Sequence, residues 1–158
     1  MARVLVGFMG SGKSTIAGLL DPNFIDMDAV LTEKIGMPIA DFFAQKGEVA
    51  FRELEAETLV QLLEIDQVLS TGGGVVISEA NRALLAKHAD VVYLKADFDT
   101  LYDRMTADST NQRPLFLNNS RADLEAIFQT RQSWYEEVAS QIVEVAGKTP
   151  AEIMEEIR

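Results

Sequence analysis

An α/β fold on a mostly parallel sheet is what the sequence predicts, and two observations carry that prediction. Short apolar runs alternate with stretches of helical periodicity, with no internal repeat, low-complexity tract or Pro/Gly-rich linker between them. The first apolar run leads into Gly7-Phe8-Met9-Gly10-Ser11-Gly12-Lys13-Ser14, and a helical pattern starts directly behind it. Strands are predicted at residues 3–8, 23–26, 67–70, 90–95 and 141–145. Helices are predicted at 13–20, 28–35, 39–46, 48–63, 79–87, 98–105, 121–139 and 151–157, with Gly36 and Pro38 as punctuation.

The chain has 158 residues, the size of one domain. Hydrophobic residues make up 47%, which argues against a disordered chain. No apolar run approaches the roughly 18 residues of a membrane span. The stretch after Met1-Ala2-Arg3 is too short for a secretory leader, so an intracellular, cytoplasmic protein is expected. Absence of cysteine excludes disulfides, thiol catalysis and thiolate metal sites, and the single histidine, His88, leaves no cluster for zinc. The net charge of −11, from 25 acidic and 14 basic residues, speaks against a nucleic-acid partner. Such a molecule holds an anion only where its few cations converge, so the position of each Lys and Arg carries information.

Gly7 to Ser14 fits G-x-x-x-x-G-K-[ST] in its proper setting, between an apolar strand and a helix. Glycines let backbone N–H groups approach phosphate oxygens, and the helix N-terminus adds a dipole that favours anions. Gly10, Ser11, Gly12 and Thr15 belong to this cradle. Lys13 is expected to reach the β and γ phosphates of ATP, and the Ser14 hydroxyl to ligate Mg²⁺.

Asp26-Met27-Asp28 follows the apolar pair Phe24-Ile25. As strand residues two apart, both carboxylates would share one face, at the sheet edge where ligands of parallel sheets sit. One could hold Mg²⁺ through its water shell and the other accept a proton from an attacking hydroxyl. Alternatively, Asp28 caps the helix that follows.

Arg131 falls on the apolar sector formed by Leu124, Ile127, Phe128, Trp134, Tyr135 and Val138. Arg52 lines up with Leu59 and Leu63 at the edge of another. A guanidinium among core positions needs an anion. For either residue alone, an internal glutamate such as Glu48, Glu53, Glu55 or Glu57 serves as well as a ligand; the two together favour a bidentate carboxylate clamp. Gly72-Gly73-Gly74 after an apolar strand allows close approach of a ligand, or simply a flexible turn. The pattern breaks at residues 106–119, a polar stretch containing Arg113-Pro114 that reads as a lid or a surface excursion. Arg113 could fold over ATP, or remain solvated.

Taken together, the phosphate loop, Asp26-Met27-Asp28, Gly47-Glu48-x-x-Phe51-Arg52-x-x-Glu55, Ser70-Thr71-Gly72-Gly73-Gly74, Arg113-Pro114-Leu115 and Arg131-x-x-x-Tyr135-x-x-Val138-Ala139 resemble the shikimate kinase family, in order and over nearly the whole chain. The resemblance implies a three-layer α/β/α, nucleoside-monophosphate-kinase-like P-loop fold with a five-stranded parallel sheet and a small lid at about 106–119. The chain would be a single kinase domain, 1–158, with an acceptor-binding helical region at about 28–63. It would be a monomer whose partners are the small molecules shikimate and ATP, with no nucleic acid and no membrane. It implies transfer of the ATP γ-phosphoryl group, with Mg²⁺, to the 3-hydroxyl of shikimate in aromatic amino-acid biosynthesis. Carried over by position, Asp26 supports Mg²⁺ and Asp28 engages the acceptor hydroxyls. Arg52 and Arg131 grip the shikimate carboxylate beside Gly73 and Gly74, Arg113 is the lid arginine, and Pro150 flanks the adenine. Three departures stand out. The stretch from Lys13 to Asp26 is short, so the first helix should stop near Leu20. Thr106 stands where many members carry an adenine-stacking arginine, with Arg104 not an evident replacement. Ala146-Gly147-Lys148 lacks the usual threonine-acidic pattern. Alternatives from the residues alone are a gluconate-type kinase, or an ATP-binding regulatory domain without turnover.

Overall fold

The computed structural model describes residues 1–107, 116 and 118–157. In chain order these form β1 (Arg3–Val6), α1 (Lys13–Leu20), β2 (Ile25–Asp26), α2 (Met27–Ile35), α3 (Ile39–Leu63), β3 (Val68–Ser70), α4 (Glu79–Lys87), β4 (Val91–Lys95), α5 (Phe98–Ala107), α6 (Arg121–Val138), β5 (Gln141–Glu144) and α7 (Pro150–Glu156). A single 3₁₀ turn, Val75–Ile77, joins β3 to α4.

The five strands form one sheet in the order β2-β3-β1-β4-β5, and every pairing is parallel. Helices on both faces explain the sequence of the central strands. Val4, Leu5 and Val6 are fully buried, as are Val91 and Val92, because a parallel strand covered on both sides must be apolar at consecutive positions. At the edge, β5 alternates instead, with Ile142 exposed and Val143 buried. Helix starts are set by local chemistry. Asp26, Ser78 and Ser120 cap α2, α4 and α6, and Thr149 with Glu152 forms a capping box ahead of α7 with Pro150 in its first turn.

Parallel pairing puts the loops after β1, β2 and β3 at the same sheet edge, where ligands of this architecture bind. Two of these loops are joined at their roots. Thr71 donates both its backbone N–H (3.2 Å) and its hydroxyl (2.8 Å) to the carbonyl of Leu5, so the chain leaving β3 is tied to the chain leaving β1.

Most predicted elements are found within two residues of their predicted limits, and α1 ends at Leu20 as its short sequence required. Two differences matter. The helices predicted at 39–46 and 48–63 follow one another as a single element, broken at Gly47 by non-helical backbone (φ 86°, ψ 168°). The second strand is only two residues long, because the chain turns into α2 at Met27. Asp26 therefore caps α2, accepting the N–H of Asp28 at 3.0 Å, and Asp28 sits in the first helical turn. Neither the shared strand face for the two carboxylates nor the capping role for Asp28 holds.

Candidate active site

Gly12 takes the left-handed conformation (φ 89°, ψ 22°) at the start of α1 and offers no side-chain cap. No side chain caps the start of α1, which suits a phosphate cradle. The Lys13 ammonium folds over this loop, donating to the carbonyls of Gly7 (2.7 Å) and Phe8 (3.2 Å). The Ser11 hydroxyl is buried in the loop with no hydrogen-bond partner.

Beside the loop lies a cavity of about 200 Å³, lined by Gly10, Gly12, Thr15, Arg104, Lys148 and Pro150 among others. Arg104 donates from Nη1 to Gly10 O (3.3 Å) and from Nη2 to Val145 O (3.4 Å), bridging the phosphate loop to the end of β5. Lys148 pairs with Glu156 at 2.7 Å. Thr106, in contrast, is exposed and donates back to Asp103 O. The cation facing the nucleotide loop from α5 is therefore Arg104, one the sequence left unassigned. The altered stretch before Pro150 supplies a second in Lys148.

The three glycines after β3 face three separate functional groups. A methyl group placed on Gly72 would stand 2.7 Å from Asp28 Oδ1. One on Gly73 would lie 3.8 Å from Arg131 Nη1 and 3.7 Å from Tyr135 Oη, and one on Gly74 2.9 Å from Arg52 Nη2. A side chain at Gly72 or Gly74 would crowd Asp28 or Arg52, whereas one at Gly73 would make only ordinary contact. The structure thus brings Asp28 from α2, Arg52 from α3 and Arg131 from α6 to one short loop. Tyr135 fixes that loop by donating to Gly73 O at 2.5 Å. Burial pushes the Tyr135 phenol up to about 12 against the pull of the neighbouring Arg131, so it stays a donor.

Arg52 has internal partners as well. Its Nη1 donates to both carboxylate oxygens of Glu55 (3.0 and 3.1 Å) and to Gly74 O (3.0 Å), and its Nε reaches Glu48 at 3.4 Å. The glutamate alternative thus holds at Nη1 and Nε, while Nη2 faces Gly74. Glu55 is only 3% exposed. Burial raises its carboxyl above the ordinary value; Arg52 and Arg131 oppose that rise and Asp28 adds to it. Arg131 lies over the Phe8 ring, 5.9 Å from its centroid, and borders an apolar cavity of about 340 Å³ with Ile77, Ile127 and Trp134.

Arg113, with Pro114 and Leu115, lies outside the described residues. Sequence reasoning did not single out Asn81 or Arg82. Arg82 stacks on Trp134 (4.6 Å), pairs with Glu137 and donates to Val76 O and Ile77 O, holding the turn behind the glycines. Asn81 is fully buried beside Glu55. A polar residue in the first turn of a helix normally reads as surface, so the sequence carried no signal for it.

A parallel sheet of this order with a phosphate loop after its first strand defines the class of P-loop phosphotransferases. Residues 9–158 match the family described as Shikimate kinase. A Shikimate kinase of Streptococcus gordonii is 52% identical over 159 residues, covering 100% of this chain and 99% of the relative. Among solved structures, Shikimate kinase from Acinetobacter baumannii in complex with shikimate superposes with a TM-score of 0.86 at 31% identity, over 99% of this chain and 89% of that one. Shikimate kinase from Aquifex aeolicus gives 0.83 at 32%, over 99% and 94%. The chain belongs to the shikimate kinase family and is an ATP-dependent kinase with that family's five-stranded fold.

Proposed function

We propose that this chain moves the γ-phosphoryl group of ATP to the 3-hydroxyl of shikimate, and that the residues around the three glycines form its acceptor site. The observation that carries the reading is the sequence of partners along Gly72-Gly73-Gly74: a carboxylate, then one guanidinium, then another. A carboxylate next to the transferring phosphate suits a neutral hydroxyl nucleophile and would repel a phosphorylated acceptor. Two guanidinium groups suit the single carboxylate of shikimate.

Gly10, Ser11, Gly12, Lys13, Ser14 and Thr15 hold the triphosphate, with Arg104, Lys148 and Pro150 on the nucleotide's outer side. Lys13 releases Gly7 O and Phe8 O to reach the β and γ phosphates. Ser14, with Asp26 through water, would hold Mg²⁺, which screens phosphate charge when bound. A donor set of one hydroxyl and one carboxylate, with no cluster of three acidic or histidine side chains among the described residues, fits an ion that keeps most of its water and phosphate oxygens. Arg52 and Arg131 bind the acceptor carboxylate and set the ring so that its 3-hydroxyl faces Asp28. The hydroxyl oxygen forms the new bond to the γ-phosphorus while the bond to the β-γ bridging oxygen breaks. Asp28 takes the hydroxyl proton and ADP leaves. Arg113 is assigned to the same reaction as the cation of a lid spanning about 106–119. The enzyme is read as one domain, 1–158, acting as a cytoplasmic monomer on small molecules only. The net charge of −11 supports the exclusion of nucleic acid.

Steady-state ADP release from the purified chain, with Mg-ATP and shikimate, gluconate or AMP, tests the reading. Stimulation by shikimate alone is expected; none by shikimate, or an equal response to gluconate, sinks it.

A further inference from the structure

The polar side chain buried deepest next to the acceptor site is one the reaction does not use. Asn81 is 0% exposed, in the first turn of α4. Its backbone N–H donates to the capping Ser78, which fixes the side chain's direction. From there Nδ2 donates to Glu55 Oε1 (3.3 Å) and to Val75 O (3.0 Å), while Oδ1 is buried with no hydrogen-bond partner. An amide oxygen left unsatisfied is unfavourable, so the packing of α4 alone gives no reason for an amide there. What the amide supplies is a neutral donor to a buried carboxylate whose other bonds, among the described residues, go to Arg52.

We propose that Asn81 is a positioning residue for acceptor recognition: it holds Glu55, and through Glu55 it sets which edge of the Arg52 guanidinium is left for the acceptor carboxylate. Glu55 Oε1 shared between Asn81 and Arg52 keeps Nη1 turned to Glu55 and Gly74 O, and leaves Nη2 over Gly74. A neutral donor does this without competing with Arg52 for the negative charge; a lysine or arginine at 81 would draw Glu55 away. The same amide bonds Val75 O, so the anchor of Arg52 and the turn that ends the glycine loop are fixed by one group. The charged groups acting on Glu55 are Arg52 on its own helix, Asp28 on α2 and Arg131 on α6, and Asn81 is the contribution of α4.

The inference rests on reading Arg52 as an acceptor ligand, so the test carries that reading as a control. Wild type, Arg52→Ala, Asn81→Leu and Asn81→Asp are assayed as full chains for kcat and for KM of shikimate and of ATP. Asn81→Leu is expected to raise the shikimate KM about tenfold, the scale of one hydrogen bond to a charged group, with ATP KM and kcat within about twofold. Asn81→Asp is nearly isosteric and guards against a variant that fails to fold. It sets a second carboxylate beside Glu55, so its shikimate KM rises with pH as the pair loses its shared proton, more steeply than wild type. A shikimate KM that moves in Arg52→Ala but in neither Asn81 variant overturns the inference and leaves the acceptor clamp standing. Wild type without shikimate-dependent turnover overturns the clamp itself.

Discussion

Asp28 Oδ1 lies against Gly72 so closely that a single methyl group on the glycine would stand 2.7 Å from it. The carboxylate proposed to take the acceptor proton is thus positioned by the absence of a side chain across from it. Asp28→Asn keeps the shape and removes the base, and kcat is expected to fall by about 10²–10⁴ with ATP KM little changed. Gly72→Ala keeps the base and displaces it; a shift of about an ångström is expected to lower kcat/KM for shikimate by roughly 10². Normal turnover in Gly72→Ala would mean that Asp28 does not need its present place.

Arg131 lies beside Gly73 and Tyr135 and over Phe8, and among the described residues no carboxylate lies within ion-pair distance of it. Arg131→Ala should weaken shikimate binding by about tenfold or more and ATP binding much less, because a guanidinium–carboxylate bond is lost on one side only. Titrating each ligand separately distinguishes the outcomes; equal losses would make Arg131 a structural residue.

For the nucleotide, the decisive variant is Arg104→Ala. The side chain joins Gly10 O to Val145 O and borders the cavity beside the phosphate loop. Its loss should raise the ATP KM about tenfold with little effect on the shikimate KM. Thr106→Ala, by comparison, should leave both unchanged, because the exposed Thr106 hydroxyl donates back to its own helix at Asp103 O.

Glu55 gives a pH signature. Its carboxyl is raised above 4.5 by burial, so the folded state binds this proton more readily than the unfolded one. Its contribution to stability is fully present below the unfolded value and is lost as pH rises through the folded one. Glu55→Gln removes that loss. The melting temperature of the variant relative to wild type is therefore expected to climb as pH is raised from about 4 toward 8. A difference that is flat or falls with pH would contradict a raised carboxyl. Shikimate KM should worsen in the same variant, since Arg52 loses its ionic anchor.

Much of this architecture could be read from the residues, and what could not has physical causes. β1 and β4 were legible because a strand covered on both faces leaves an unbroken apolar run. The phosphate loop was legible because its spacing is dictated by a backbone wrapping a triphosphate. The pair Asp26 and Asp28 was read as sharing a strand face because a two-residue strand is too short to show any period; where the turn fell decided which carboxylate capped and which faced the glycines. For Arg52 the sequence offered several glutamates and no way to choose. Helix geometry selects Glu48 and Glu55, four and three residues away, and burial makes the second dominant. Positions 104 and 106 point to nearly opposite sides of a helix, about 200° apart, and only the placement of α5 against Gly10 shows that it is Arg104 that points inward.

The pair of hydrogen bonds from Thr71 to Leu5 O has a further consequence. The phosphate loop and the glycine loop proposed to hold the acceptor grow from adjacent strands and share one carbonyl as a common origin. At their roots the two loops are accordingly held together within hydrogen-bond distance. Whatever rearranges during a catalytic cycle must do so farther out, in parts such as the helix interrupted at Gly47, while the distance that phosphorus travels keeps the scale set at the sheet.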